Sequence, residues 1–166
     1  MKRLVFTFGT LYEPKIITAL LGTEPPFFLA TVQGYTVYKG GSNLLPPEIY
    51  DDISSKHDMS TLSFLFAQKS TDPHAKIHGK VYEITTNQET VLDWWERYPR
   101  WYRKENITVT DKHGKEYEAF MYAIDKTGEV LETFERVQGN VETYITSAKE
   151  LRKKLSKEFP NLLNTL

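Results

Sequence analysis

The sequence predicts an α+β protein: a strongly curved or closed mixed β-barrel with a few short flanking helices. Three observations carry that prediction. About seven short runs are rich in β-branched and aromatic residues, against three stretches with helical periodicity. Glycines stand inside or between these runs, where a sheet has to bend. At 166 residues and 40% hydrophobic the chain is long enough for one sizeable core, so residues 1–166 are expected to form one domain.

Taken in order, residues 2–8 (KRLVFTF) read as a buried strand that stops at Gly9. A turn at Gly9-Thr10 leads to a short helix, with Pro14 in its first turn, an apolar face of Ile16, Ile17, Leu20 and Leu21, and Gly22 as its stop. Residues 27–33 and 35–38 read as strands parted by Gly34, and Gly40-Gly41 and Pro46-Pro47 bracket a loop-rich section. Residues 61–68 and 77–84 are further strands, the second with Gly79 inside it, separated by a polar loop at 69–75.

Thr86-Asn-Gln-Glu89 has capping-box spacing, which predicts a helix from about Asn87 into the tryptophans. Val91, Trp94 and Trp95 are expected on its apolar face, with Glu96 near its C-terminal end and Pro99 as its stop. Residues 103–110 and 117–124 alternate like a hairpin around His113-Gly114, residues 125–128 turn the chain, and 130–137 read as one more strand. Ser147-Ala-Lys-Glu150 is a second capping-box spacing, predicting a surface helix to about Glu158 within a C-terminal extension over 140–166.

Composition narrows the function classes. Lys and Arg total 21 against 22 Asp and Glu, a net charge of −1, so nucleic acid and acidic membrane surfaces are not expected partners. The absence of cysteine removes disulfides, thiolate metal sites and cysteine nucleophiles. No apolar run reaches the length of a signal-peptide core or a membrane span, which predicts a soluble, cytoplasmic protein. His57, His74, His78 and His113 are scattered without a carboxylate cluster, so no metal site is expected. Lys149, Arg152, Lys153, Lys154 and Lys157 read as a solvated helix face.

Chemistry concentrates in VLDWWERYPRWYRK, residues 91–104. Glu96 stands there among Trp94, Trp95, Tyr98, Trp101 and Tyr102, and a carboxyl that loses hydration among such rings holds its proton to higher pH, as an acid/base requires. Trp94, Trp95 and Trp101 also fit a packed core with Glu96 facing water, or an exposed groove on which sugars or bases stack. At the other end of the chain, Phe8-Gly9-Thr10-Leu11 ends a strand in a glycine turn, whose unpaired amides make an anion-binding concavity.

Together these motifs resemble the γ-glutamylcyclotransferase-like proteins, most closely the γ-glutamylamine cyclotransferase branch. That family opens with strand-Tyr-Gly-Thr/Ser-Leu, has a later strand of the form apolar-x-Gly-x-apolar-Tyr, and then Leu-Asp-x-x-Glu before a Tyr with a nearby Arg. Here the corresponding residues are Phe8-Gly9-Thr10-Leu11, Ile77-His-Gly79-Lys-Val81-Tyr82, Leu92-Asp93-Trp-Trp-Glu96 and Tyr102-Arg103, in matching order and spacing across residues 4–124.

The resemblance implies that the turn at Phe8, Gly9, Thr10 and Leu11 holds the polar end of a small γ-glutamyl substrate. It makes Glu96 the catalytic acid/base, and it implies that no cofactor is required. Tyr82, Tyr102 and Tyr122, all on strands, read as half-buried packing residues and each also as a candidate to line the substrate cavity, with Tyr102 and Tyr122 counted among the substrate-binding residues. The implied reaction is intramolecular attack of the α-amine on the γ-carbonyl, releasing 5-oxoproline and an amine or amino acid. Two uses of the loop amides stay open, a tetrahedral oxyanion or the α-carboxylate. Phe8 replaces the family's tyrosine, and Arg97 stands where the family often has glycine, in reach of Glu96. The alternative is a non-catalytic binding or interaction domain on the same fold.

Overall fold

The computed structural model describes residues 1–126 and 128–164 of the chain. Among the described residues there are eight strands and five α-helices, and the strands divide between two sheets. β1 (Lys2–Thr7), β2 (Phe27–Gln33), β5 (Lys76–Thr85), β6 (Arg103–Asp111) and β7 (Glu116–Ala123) form the larger one, in the spatial order β1-β5-β2-β6-β7. Every neighbouring pair in that order is antiparallel. The sheet curls until its two outer strands meet in a parallel pairing of Val5 with Phe120, which closes a five-stranded barrel. The fold class is therefore α+β, with one parallel contact in an otherwise antiparallel curl.

β3 (Tyr35–Gly41), β4 (Ser63–Lys69) and β8 (Glu129–Leu131) make a separate antiparallel sheet in the order β4-β3-β8. Gly34, at φ +80°, is where the chain leaves one sheet for the other; a left-handed residue there lets two consecutive strands belong to different sheets.

Strand periodicity splits the core in two. Phe6, Val32, Val81, Val109 and Met121 belong to a cluster to which all five barrel strands contribute. Their neighbours Val5, Tyr82, Phe120 and Tyr122 face the other way and pack with residues of α1 (Pro14–Leu21), α3 (Thr86–Trp95) and α4 (Val141–Glu158). Strands buried on both faces explain the nearly continuous apolar runs in the sequence.

Several boundaries differ from expectation. The loop-rich section contains α2 (Pro47–Ser54), an eight-residue helix that starts at the Pro46-Pro47 pair. Its weak apolar pattern, with Ile49 alone buried, hid it. The strand expected over 130–137 is only the three residues of β8. The turn expected over 125–128 includes residue 127, outside the described residues. The capping box of α3 is formed by Thr85 and Gln88, one residue before the expected pair.

α4 is capped by Asn140 and starts at Val141, six residues before the second expected box, and a four-residue helix, α5 (Pro160–Leu163), follows it. Nor is α4 wholly a surface helix, because Ala148 and Leu155 are fully buried. On its basic face, Arg152 turns inward and donates to the Leu20 carbonyl at 3.3 Å, lying over Gly22 where a β-carbon would stand 2.7 Å away. Among the described residues no helix is long and apolar enough to cross a membrane.

Candidate active site

β1 ends at Thr7, paired with Lys80, and the chain then leaves the barrel through Phe8 and Gly9. A single 3-10 turn, Thr10–Tyr12, follows at once. It is closed by the Tyr12 amide donating to the Gly9 carbonyl at 3.0 Å and the Glu13 amide to the Thr10 carbonyl at 3.1 Å. The opening amides of such a turn have no acceptor within it and are available to a ligand. Phe8 itself points into the barrel cluster, 7% exposed and edge-on to Phe134 at 6.4 Å. A tyrosine hydroxyl at that ring would need a buried partner. Replacing the family's tyrosine by phenylalanine is thus consistent with apolar packing.

Glu96 closes α3, its amide donating to the Leu92 carbonyl at 2.9 Å. The helix stops because Arg97 adopts the left-handed conformation, φ 54°, two residues before Pro99. That is the conformation glycine adopts without cost, which accounts for the family's frequent glycine there. Arg97 carries it as a non-glycine residue, and its guanidinium turns away to pair with Asp52 on α2 rather than with Glu96. Arg97, in reach of Glu96 along the chain, thus spends its charge on Asp52 and leaves Glu96 unneutralised.

Among the described residues, the Glu96 carboxyl has no hydrogen bond or ion pair. Burial pushes its pKa up to about 8, and the Asp93 carboxylate one helical turn earlier adds to the shift. Asp93 is held from two sides: Tyr122 donates to it at 2.6 Å and Lys104 at 2.8 Å. Lys104 also bonds Glu89 at 2.6 Å, and Arg3 reaches the same Glu89 at 2.5 Å. This network ties α3 to β1, β6 and β7, so the end of α3 sits at a set place beside the barrel.

A cavity of about 940 Å³ takes in both motifs. Phe8, Gly9, Thr10, Leu11, Glu96, Tyr102 and Tyr122 all border it, so residues nearly ninety apart in sequence meet at one opening. The Tyr102 hydroxyl is committed to the Leu65 carbonyl at 3.2 Å, and that of Tyr122 to Asp93; burial pushes both phenols to higher pKa. They shape the cavity as neutral groups. Tyr82 lies elsewhere, its hydroxyl on Glu24 at 3.1 Å, and Tyr98 is an exposed residue stacked with Lys104.

The tryptophans part company. Trp94 is 38% exposed and lies against Phe159, so it is not on the buried face expected of it. Trp95 and Trp101 are half-buried against the helix-side core, and the Trp101 indole nitrogen is buried with no hydrogen-bond partner among the described residues. A groove of three exposed rings does not exist.

Among the bordering residues that sequence reasoning did not single out are Arg136 and Tyr144. Arg136 comes from the irregular stretch before α4 and Tyr144 from the helical turns that precede the expected start. Neither carried a local pattern.

Comparison with known proteins bears on the family and the fold. The sequence model of the family "Gamma-glutamyl cyclotransferase, AIG2-like" matches residues 5–143. No curated protein sequence matches the chain. Among solved structures, a γ-glutamyl cyclotransferase is similar with a TM-score of 0.62 at 14% identity, covering 98% of this chain and 86% of that one. An uncharacterized protein from Homo sapiens gives 0.61 at 15%, covering 97% and 86%. An AIG2-like protein from Mus musculus gives 0.54 at 15%, covering 81% and 88%. At such identities the structures speak for the fold.

Proposed function

Because this chain belongs to the γ-glutamyl cyclotransferase, AIG2-like family, we propose that it cyclises a small γ-glutamyl amine or γ-glutamyl amino acid, with Glu96 as the proton carrier. The observation that supports this most directly is the Glu96 carboxyl, unpaired and desolvated at the same cavity as the turn of Gly9, Thr10 and Leu11.

The substrate's free α-amine attacks its own γ-carbonyl carbon. A new C–N bond closes the five-membered ring, and the C–N bond to the departing amine breaks. The proton lost by the attacking nitrogen passes to the Glu96 carboxylate and from there to the departing nitrogen, so one carboxyl serves both ends. A pKa near 8 suits both roles: the carboxylate is basic enough to take the proton and the acid holds it until the leaving nitrogen needs it. Attack within one molecule draws its rate from a folded near-attack shape, so no side-chain nucleophile is needed.

The test is release of 5-oxoproline from a panel of γ-glutamyl amines and γ-glutamyl amino acids by wild type and Glu96→Gln. Turnover by the variant is expected to fall at least ~100-fold. Near-normal release by a folded variant removes Glu96 from the mechanism. No release from any donor by the folded wild type favours a non-catalytic binding domain on this fold.

A further inference from the structure

Arg136 is a cation at this cavity with no counter-ion among the described residues. It reaches from the segment between β8 and α4 to the end of β1, where its Nη1 donates to the Phe8 carbonyl at 2.9 Å and the His78 carbonyl at 3.1 Å. Its guanidinium carbon stands 3.7 Å from the centre of the Tyr12 ring. All three partners are neutral. Arg3, Arg97 and Arg103 each pair with a carboxylate, whereas among the described residues none pairs with Arg136.

The side chain is half-buried, and desolvation pulls its pKa down, as expected for a cation held among neutral groups. A guanidinium carries five N–H donors. Those on Nη2 and Nε have no acceptor among the described residues, while the residue borders the same cavity as Gly9, Thr10 and Leu11. Such a charge is costly alone and favourable once an anion arrives, and a guanidinium suits a planar carboxylate best.

We propose that Arg136 is a specificity-determining residue: its guanidinium takes the α-carboxylate of the γ-glutamyl group and holds it beside the turn at Gly9, Thr10 and Leu11. This rests on the cyclotransferase assignment, and it chooses between the two uses open to that turn. A permanent cation matches a group that is ionised from binding through product release, rather than an oxyanion that exists only briefly. Ground state and transition state then gain alike, so Arg136 acts on KM and leaves kcat nearly unchanged.

Glutamine at 136 keeps N–H donors for the Phe8 and His78 carbonyls but removes the charge, and lysine keeps the charge. Calorimetry with 5-oxoproline and 5-oxoprolinamide, which differ only in the ionised carboxylate, reads the contact without turnover. Wild type is expected to prefer the acid by about tenfold or more, Arg136→Gln to lose that preference, and Arg136→Lys to recover much of it. With an active donor, Arg136→Gln is expected to raise KM about tenfold with kcat within about threefold. An Arg136→Gln protein that keeps the wild-type preference, weakens both ligands equally or loses kcat instead of KM overturns the proposal, as does a wild type that binds neither ligand. Charge-selective binding that depends on Arg136, in a protein that releases nothing from any donor, retains the carboxylate contact and sinks the cyclotransferase assignment instead.

Discussion

Glu96 shows how one side chain's surroundings set opposite demands on activity and stability. Its carboxylate is the form that accepts a proton, so kcat/KM is expected to rise with pH and level off above about 8. Stability runs the other way. A folded-state pKa above the unfolded value means that the folded protein holds a proton the unfolded chain has released, so stability falls as pH rises from about 4.5 to 8. Glutamine carries no such penalty. Glu96→Gln is expected to match wild type near pH 4 and to exceed it by roughly 1–4 kcal/mol at pH 8.5, allowing for solvent at the cavity. Urea unfolding at the two pH values checks this, and a difference independent of pH means the carboxyl is not desolvated. The residue types at the site were legible in the sequence. That Arg97 pairs with Asp52 and leaves Glu96 alone was not, because Asp52 sits on a helix 45 residues away.

At the scale of elements, β1 and β5 are locked together by what is missing at Gly79. A β-carbon there would stand 2.4 Å from the Thr7 carbonyl oxygen and 2.6 Å from the Phe6 ring. The first contact is backbone, so β1 itself must move, and the turn holding Gly9 and Thr10 moves with it. Gly79→Ala is expected to cost about 1–3 kcal/mol and to lower kcat/KM in the fraction that remains folded. Denaturant unfolding beside 5-oxoproline release separates the two effects, and full activity would show that the turn tolerates displacement of β1. The glycine's close approach was readable from the pattern of β5. The start of α3 was ambiguous, since Thr85 with Gln88 and Thr86 with Glu89 have the same spacing. Tertiary structure breaks the tie by drawing Glu89 into bonds with Arg3 and Lys104, which leaves Gln88 to cap.

For the whole molecule, α4 joins the C-terminal part to the rest through buried contacts. Ala148 and Leu155 are fully enclosed with α1 residues, and Arg152 covers the end of α1. We propose that residues 1–166 unfold as one cooperative unit. Leu155→Ala is expected to destabilise it by about 2–4 kcal/mol while keeping a single transition. Two separate transitions, with only one shifted, would make the C-terminal part an independent unit. The family match ends at residue 143, near the start of α4, so most of this helix lies beyond it.

Local stretches of chain were enough to establish the fold class, most strands, the first helix, and the two motifs that meet at the cavity. Those properties depend on alternation, on punctuating glycine and proline, and on motif spacing, all carried within short stretches of chain. Tertiary structure alone decided which strands share a sheet, where α2 and α4 begin, how Asp93 is held, and that Arg136 stands uncompensated at the end of β1. The reason is that pairing, desolvation and charge balance belong to groups far apart in sequence. Their strength depends on distances and burial that only the folded chain supplies.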